Sequence, residues 1–360
     1  MTIRNLHELI DELENRSVNI SSMNLKLTLQ NDPLAGYLFN LANQPQELDR
    51  VSRAVDGLIQ RSGFGTVDAT NAVSNLLTDR HFYGAFCELA AYEWLDRNNA
   101  AHTAQVALGS KDVLNPNGCT IDGQFMNYDA FFDIKGFGMQ AYLMELFKRR
   151  LQPFAHGLTI LIDGPLDVAV KDIETYAFGN IGKLKAKLFV GSTCQIRELG
   201  WSIKVVKPQR VTISEHTSNP YVFAEQNRYY PFKTSRQFTR NAPFFLVFPY
   251  SSHFNNMLAS NAFDMTDIAL RALARRVFIQ LTADTTLLQQ HDSQTSPELT
   301  VSDAAKLVSA LLFINLDNDE AWLFLNPRAL HKITNYHIEQ IFDFTAPIHM
   351  GIDDFEHDNY

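Results

Sequence analysis

Apolar residues recur three and four positions apart in the first part of the chain, at residues 6–13, 34–41, 46–61 and 67–78. This spacing lines one face of a helix and therefore predicts four helices. These stretches contain no motif with recognisable chemistry. We therefore predict a helical N-terminal region over residues 1–79.

The pattern changes between residues 80 and 250, where stretches with helical spacing alternate with short apolar runs that are typical of strands. The predicted helices are residues 81–97, 138–151 and 170–188, and the predicted strands are residues 119–125, 128–135, 158–162, 202–206, 210–214 and 244–248. Such alternation is typical of α/β domains. We predict a mixed α/β fold, with a central mixed β-sheet flanked by helices.

The last part of the chain, residues 251–345, is predicted to be an α+β extension of this core. It has helical spacing at residues 265–281 and 302–312 and a short strand pattern at 321–325. The intervening residues 284–300 are polar and are predicted to form a loop. The final residues 346–360 are acidic, and we expect them to form a solvated tail.

The composition is typical of a folded protein with sizeable cores, since 46% of the 360 residues are hydrophobic and 20% are charged. The apolar runs are shorter than a membrane span, and the N-terminus has no apolar signal core. We therefore expect a cytoplasmic protein without a membrane partner. The cysteines Cys87, Cys119 and Cys194 fit neither a disulfide framework nor a zinc site.

Residues 119–135 carry the most informative pattern, two short strands that can form a hairpin closing near Asn127. Side chains alternate along a strand, so Asp133 and Lys135 lie on one face. The hairpin would also set Asp122 opposite Asp133. Two like charges in such positions destabilise a sheet unless something offsets them. A divalent cation suits this role, since it prefers carboxylate oxygens.

Glu88 is a further acidic candidate, because it lies among small residues that would let its helix approach a sheet closely. The alternative is an ordinary surface glutamate, and Glu93 is the nearest rival. Asp129 is an alternative to Asp122 as the acid that shares a cation with Asp133. It lies roughly 13 Å along the strand from Asp133, too far to share one ion. Asp163 ends a predicted strand within Ile-Asp-Gly-Pro, a pattern more typical of a turn than of a metal ligand.

A helix glutamate, a strand aspartate and Asp-x-Lys on the next strand together resemble the PD-(D/E)xK, or restriction-endonuclease-like, nuclease superfamily. The matching residues are Glu88, Asp122 and Asp133-Ile134-Lys135, in a span of about 85 residues from residue 80 to residue 165. The chain departs from the family's name at Ile121, where the name has proline.

The resemblance implies an active site in which Asp122 and Asp133 bind Mg²⁺, or Mn²⁺, with the Ile134 carbonyl as a further ligand. Glu88 would help to hold a metal ion or the attacking water. Lys135 would position that water and stabilise the charge that develops on the phosphate. A bound metal ion would lower the pKa of water and polarise a phosphoryl oxygen.

Positive charge is concentrated within residues 204–240, although the net charge of the whole chain is −9. The basic residues there are Lys204, Lys207, Arg210, Arg228, Lys233, Arg236 and Arg240. Six aromatic residues are interleaved with them, a combination that suits phosphate contact and base stacking. In the alternative interpretation the aromatic residues form core and the charges are solvated.

These features predict a magnesium-dependent endonuclease that hydrolyses phosphodiester bonds in nucleic acid, with double-stranded DNA as the first candidate. A homodimer is an open alternative to a monomer, and a role in restriction or defence rests on family analogy alone. A second hypothesis is a catalytically inactive nuclease-like fold that binds nucleic acid or a protein. A third is an unrelated α/β binding protein in which the acidic residues are incidental.

Overall fold

The structure is a computed structural model that describes most of the chain from residue 45 onward. The described residues are 8, 11, 15, 45–60, 66–76, 81–179, 181–185, 187–208, 216–251, 263–342 and 348–350. The helix predicted at residues 34–41 and the acidic residues of the predicted tail lie outside this part of the chain.

The described helices follow the sequence prediction closely in the first half of the chain. In chain order they are α1 (Pro45–Ile59), α2 (Thr66–Asn75), α3 (Phe82–Arg97), α4 (Gln140–Leu151), α5 (Val170–Phe178), α6 (Ile181–Lys185), α7 (Pro220–Asn227), α8 (Phe263–Arg275), α9 (Val301–Leu307) and α10 (Asn335–Ile341). The predictions at residues 46–61, 67–78 and 81–97 correspond to the first three, and each boundary agrees within three residues. The helix predicted at residues 170–188 is interrupted, since α5 ends before Gly179 and α6 begins at Ile181.

The strands fall into two separate sheets. In chain order they are β1 (His102–Leu108), β2 (Cys119–Phe125), β3 (Ala130–Ile134), β4 (Thr159–Pro165), β5 (Thr193–Ile196), β6 (Trp201–Val206), β7 (His216–Thr217), β8 (Phe244–Tyr250), β9 (Val308–Asn315), β10 (Ala321–Leu325) and β11 (Ile348–Met350). The sheets belong to two compact units. The first comprises Met1–Phe137, Pro231–Tyr250 and Phe278–Asn359, and the second comprises Gly138–Tyr230 and Ser251–Val277.

The first unit contains a seven-stranded mixed sheet with the strand order β1-β2-β3-β8-β9-β10-β11. β1, β2 and β3 pair antiparallel, whereas β8 pairs parallel with both β3 and β9. β10 is antiparallel to β9 and parallel to β11. This sheet and its flanking helices confirm the predicted mixed α/β fold. The sheet contains strands from the predicted core, β1, β2, β3 and β8, and strands from the predicted C-terminal extension, β9 and β10.

The prediction of a single helix over residues 302–312 is wrong in its second half. The helix Val301–Leu307 ends where the strand Val308–Asn315 begins, and every residue of that strand is buried. A strand covered on both faces gives a continuous apolar run, which periodicity alone does not distinguish from a buried helix.

α3 lies against β3 and β8 and positions the first candidate site residue. Twelve of its side chains are buried, so almost its whole circumference is covered. On this helix the Tyr83 hydroxyl donates to the Phe137 carbonyl, and the Cys87 thiol lies 3.6 Å from the Pro249 carbonyl. These contacts fix the helix on the strand ends that carry the site.

A buried ion network joins α3 to α1. Glu93 is only 4% exposed, and its carboxylate lies 3.0 Å from Arg53, 3.2 Å from Arg97 and 3.7 Å from Arg50. Arg97 also pairs with Asp319 at 2.7 Å, in the turn after β9. The network explains how a charged glutamate is buried on this helix, since three arginines surround it.

The second unit contains a four-stranded sheet with the order β5-β6-β4-β7. β4 matches the strand predicted at residues 158–162, and β6 matches the one predicted at 202–206. The strand predicted at residues 210–214 lies outside the described residues. Among described strands, β6 pairs antiparallel with β4 and β5. β5 was not predicted, because its four residues carry too short a pattern.

Candidate active site

The hairpin of β2 and β3 has the register that the sequence predicts. Gly123 pairs with Phe132, so the next position along the antiparallel ladder sets Asp122 opposite Asp133. Residues that face each other in such a pair project from the same side of the sheet. The structure therefore brings these two predicted carboxylates together.

Asp133 is the most buried acid of this group, with a side-chain exposure of 0%. Its Oδ2 lies 2.8 Å from Lys135 Nζ and accepts a hydrogen bond from the Thr234 hydroxyl at 3.2 Å. Its Oδ1 is also buried and accepts no hydrogen bond from an N–H or O–H donor of the described residues, and the Asp133 carboxyl shares a hydrogen bond with Asp122 when Asp133 carries a proton. A buried carboxylate oxygen without a donor is costly unless a proton or a cation satisfies it.

Asp122 is held by the backbone of the neighbouring strand. The N–H of Ile134 donates to Asp122 Oδ2 at 2.6 Å. The next N–H, that of Lys135, points to the other edge of β3 and donates to the Val247 carbonyl at 2.8 Å. Since the N–H and carbonyl of a strand residue face the same edge, the Ile134 carbonyl also faces the Asp122 side.

Glu88 approaches these acids from α3. Its Oε1 accepts a hydrogen bond of 3.3 Å from Gln105 Nε2 on β1. One turn further along α3, the Tyr92 hydroxyl donates to the Asp122 carbonyl at 2.6 Å. The charges of Lys135 and Asp133 both act on Glu88. All four residues of the predicted catalytic set therefore meet at one place.

Gln105, Tyr92 and Thr234 contact the site but were not predicted as part of it. Tyr92 follows Glu88 by four residues, so a shared helix face was the signal that could have found it. Gln105 lies on β1, a strand that the sequence pattern did not predict. Thr234 is 101 residues from Asp133 in the chain, and no local pattern connects the two.

Burial dominates the protonation of the site. It raises the pKa of Asp133 to about 8, against the attraction of Lys135 and with a further rise from Asp122. It also raises the pKa of Glu88 to about 7 and that of Asp122 above its usual range. Burial lowers the pKa of Lys135, but the Asp133 and Asp122 carboxylates raise it by more. Asp133 and Glu88 therefore retain protons to a large extent near neutral pH unless a cation replaces them.

The donor chemistry of the site fits a hard divalent cation. Carboxylate oxygens of Asp122 and Asp133 and the carbonyl of Ile134 are the ligand types that Mg²⁺ prefers, and Asp133 Oδ1 is buried without a donor. Within the described ranges, however, no three His, Cys, Asp or Glu side chains are gathered into a complete metal-binding cluster. The groups that could hold a cation are thus two carboxylates and a carbonyl, approached by the Glu88 carboxylate from α3.

The rival acids have other partners. Asp129 is exposed at the turn of the hairpin, where its Oδ1 accepts a hydrogen bond from Gln124 at 2.7 Å. Glu93 belongs to the ion network between α1 and α3. Asp163 lies in the second unit and pairs with Lys204 at 2.6 Å. None of the three lies with the predicted catalytic set.

The basic residues predicted to contact nucleic acid are divided between the two units. Lys204, Lys207 and Arg228 belong to the second unit, Lys233, Arg236 and Arg240 belong to the first, and Arg210 lies outside the described residues. Most of those described have partners within the protein. Arg228 pairs with Glu225 and lies over the Tyr229 ring, Arg236 pairs with Asp292 at 3.3 Å, and Arg240 donates to the Val113 carbonyl at 2.9 Å.

Half of the six aromatic residues interleaved with these charges are core. Phe223, Phe232 and Phe238 are fully buried, whereas Tyr221 is 44% exposed. The alternative interpretation, in which these aromatic residues form core, therefore holds for the three phenylalanines. Base stacking on them is excluded by their burial.

Comparison with protein-family models yields no family that matches this chain, and neither the curated proteins nor the solved structures include a match to it. The nuclease resemblance accordingly depends on the residues and geometry described above. Among the described helices, none has the length and apolar character that a membrane span requires.

Proposed function

We propose that this chain is a magnesium-dependent nuclease of the PD-(D/E)xK kind that hydrolyses phosphodiester bonds in DNA in the cytoplasm. One observation carries the proposal: Asp122 and Asp133 face each other across a hairpin, and Asp133 Oδ1 is buried without a donor while the other oxygen pairs with the ammonium of Lys135. An ordinary cross-strand ion pair needs neither the second carboxylate nor the oxygen without a donor.

Each residue of the set has a role that follows from its surroundings. Asp122, Asp133 and the Ile134 carbonyl would hold Mg²⁺ or Mn²⁺, which when bound supplies a Lewis acid for a phosphoryl oxygen. Lys135 is 24% exposed, so its ammonium can reach a phosphate and stabilise the charge that develops there. Glu88 would help to hold the metal ion or orient the attacking water.

The segment that contains Thr234 supports a nucleic-acid substrate. Thr234 contacts Asp133, and its chain neighbour Lys233 is exposed in the same unit, whereas Arg236 pairs with Asp292. Gln237 Nε2 donates to the Thr120 carbonyl at 3.1 Å, which fixes this segment beside β2. Positive charge next to the acids suits a polyanionic strand whose phosphate must reach them.

The experiment that tests the proposal is nicking of supercoiled plasmid by the purified protein with Mg²⁺ or Mn²⁺, and its suppression by EDTA. Lys135→Ala and Asp133→Asn should each abolish cleavage. Their matched controls are Lys111→Ala, at an exposed lysine of the same unit, and Asp129→Asn, at the exposed acid of the same hairpin. Both controls should cleave as the wild type does. Cleavage that survives Lys135→Ala and Asp133→Asn would assign the chemistry to other residues.

A binding protein with a nuclease-like fold is the second candidate. The lack of a complete three-residue metal cluster among the described residues favours it. Under this alternative the wild type binds DNA but leaves supercoiled, linear and single-stranded substrates and RNA intact with either metal. That result would refute the proposed nuclease and support a binding function instead.

A further inference from the structure

Gln105 adopts a backbone conformation that is unusual for its position. It lies within β1, between the pairs Ala104–Gly123 and Val106–Ile121, which puts it level with Asp122. Its φ is +53°, in the left-handed region that is strained for a residue with a Cβ. Such a residue persists only where its surroundings hold it, and these positions concentrate at functional sites.

The other left-handed residues have ordinary explanations. Among the described residues other than glycine, positive φ occurs also at Asn99 and Asp319. Asn99 lies in the turn that follows α3, and Asp319 lies in the turn between β9 and β10. Asparagine and aspartate are the types that tolerate this conformation in such places. Gln105 has neither the favoured side chain nor a turn, so another cause is required.

Its side chain supplies that cause. The amide of Gln105 donates to Glu88 Oε1 at 3.3 Å, and the same side chain interacts with the Tyr92 hydroxyl, which bonds to the Asp122 carbonyl. Gln105 thus connects the helix acid to the strand that carries Asp122. A donor on one oxygen of Glu88 fixes which oxygen faces the centre of the site.

We propose that Gln105 is a positioning residue: its strained backbone aims the amide at Glu88 and so orients this carboxylate for cation binding. The contribution of Gln105 to catalysis rests on the proposed function. Its effect on cation affinity is separate and can be measured without any cleavage.

The test measures Mn²⁺ affinity by titration calorimetry and thermal unfolding for two variants that both lack the amide. Gln105→Gly permits the positive φ, whereas Gln105→Ala retains the strain. Both should weaken Mn²⁺ binding about tenfold, as is typical when a residue that orients a ligand is removed. Gln105→Gly should nevertheless unfold at a higher temperature than Gln105→Ala. The control is Gln124→Ala, at a strand glutamine that donates to Asp129 away from the site, and its Mn²⁺ affinity should equal that of the wild type.

Dependence on Glu88 distinguishes positioning from a general structural effect. In a Glu88→Ala background, Gln105→Gly should cause no further loss of Mn²⁺ affinity, because the residue through which it acts is gone. An equal loss with and without Glu88, or wild-type affinity in Gln105→Gly, would overturn the inference. A wild type that binds Mn²⁺ but cleaves nothing would refute the proposed nuclease and leave this coupling measurable, whereas a wild type that binds no Mn²⁺ would overturn both.

Discussion

Replacement of Asp133 by asparagine should stabilise the protein in the absence of metal. The carboxyl group is completely buried at the end of β3, and one of its oxygens accepts no hydrogen bond from an N–H or O–H donor of the described residues. Asparagine has nearly the same size and carries no charge. The substitution therefore removes the electrostatic cost of the site and changes little else in the packing.

The magnitude follows from the protonation of the group. Its pKa rises from 3.8 to about 8 on folding, so the folded protein favours the neutral acid. The stability that this proton provides is complete below about pH 4 and is lost as the pH rises from there through about 8. At pH 7 the loss relative to pH below 4 is roughly 4 kcal/mol. Asparagine also deprives the Lys135 ammonium of its partner, but the Lys135 side chain is 24% exposed, so the ammonium can turn toward solvent. We therefore expect Asp133→Asn to gain about 1–3 kcal/mol at pH 7.

Urea unfolding in EDTA at pH 5, 6, 7 and 8 measures this difference. The free energy of unfolding of the wild type should fall relative to that of Asp133→Asn as the pH rises. Asp129→Asn, at the exposed acid of the same hairpin, should differ from the wild type by less than about 0.5 kcal/mol at each pH. A variant that is less stable than the wild type at pH 8, or a difference that does not change with pH, would refute the reasoning.

Three further predictions concern the metal, the ion network and the basic segment. Mg²⁺ at about 100 times its dissociation constant should stabilise the wild type by about 2.7 kcal/mol in urea unfolding, and Asp133→Asn by much less. Glu93→Gln should lower the free energy of unfolding by about 1–3 kcal/mol, because Arg53 and Arg97 lose a buried charged partner while Arg50 keeps Glu47 and Asp319, and activity per folded molecule should stay unchanged. Lys233→Ala should weaken DNA binding and flatten its salt dependence in filter-binding assays, because each phosphate contact releases counterions; unchanged binding relative to Lys111→Ala would assign Lys233 to structure alone.

The pairing of the two acids could be predicted because the hairpin is local. A turn near residue 127 and a period of two along each strand fix the register, and a slip by one residue would turn every side chain to the other face. The predicted strand 119–125 matches β2 at both ends, and Asp122 lies level with Asp133. The aromatic and β-branched content of these strands reinforced the pattern.

The surroundings of the acids could not be predicted, since they come from distant parts of the chain. Thr234 reaches Asp133 across 101 residues, and β8 and β9 join the sheet from segments in which every residue is buried. Gln105 depends on a backbone conformation that its residue type disfavours, so local preference argues against the observed structure. Conflicts of this kind between local preference and fold concentrate at functional sites.

The departure from the family's name at residue 121 has a physical reason. Ile121 pairs with Val106 within the ladder and is 0% exposed, on a strand with neighbours at both edges. Proline there would remove a backbone donor from an interior strand and would fill the core less well than isoleucine. The proposed chemistry depends on Asp122 and Asp133, which lie opposite each other. Asp122 points to the other face of the sheet from Ile121. Isoleucine at residue 121 therefore secures the strand that carries the acid, and its presence does not count against the proposed nuclease site.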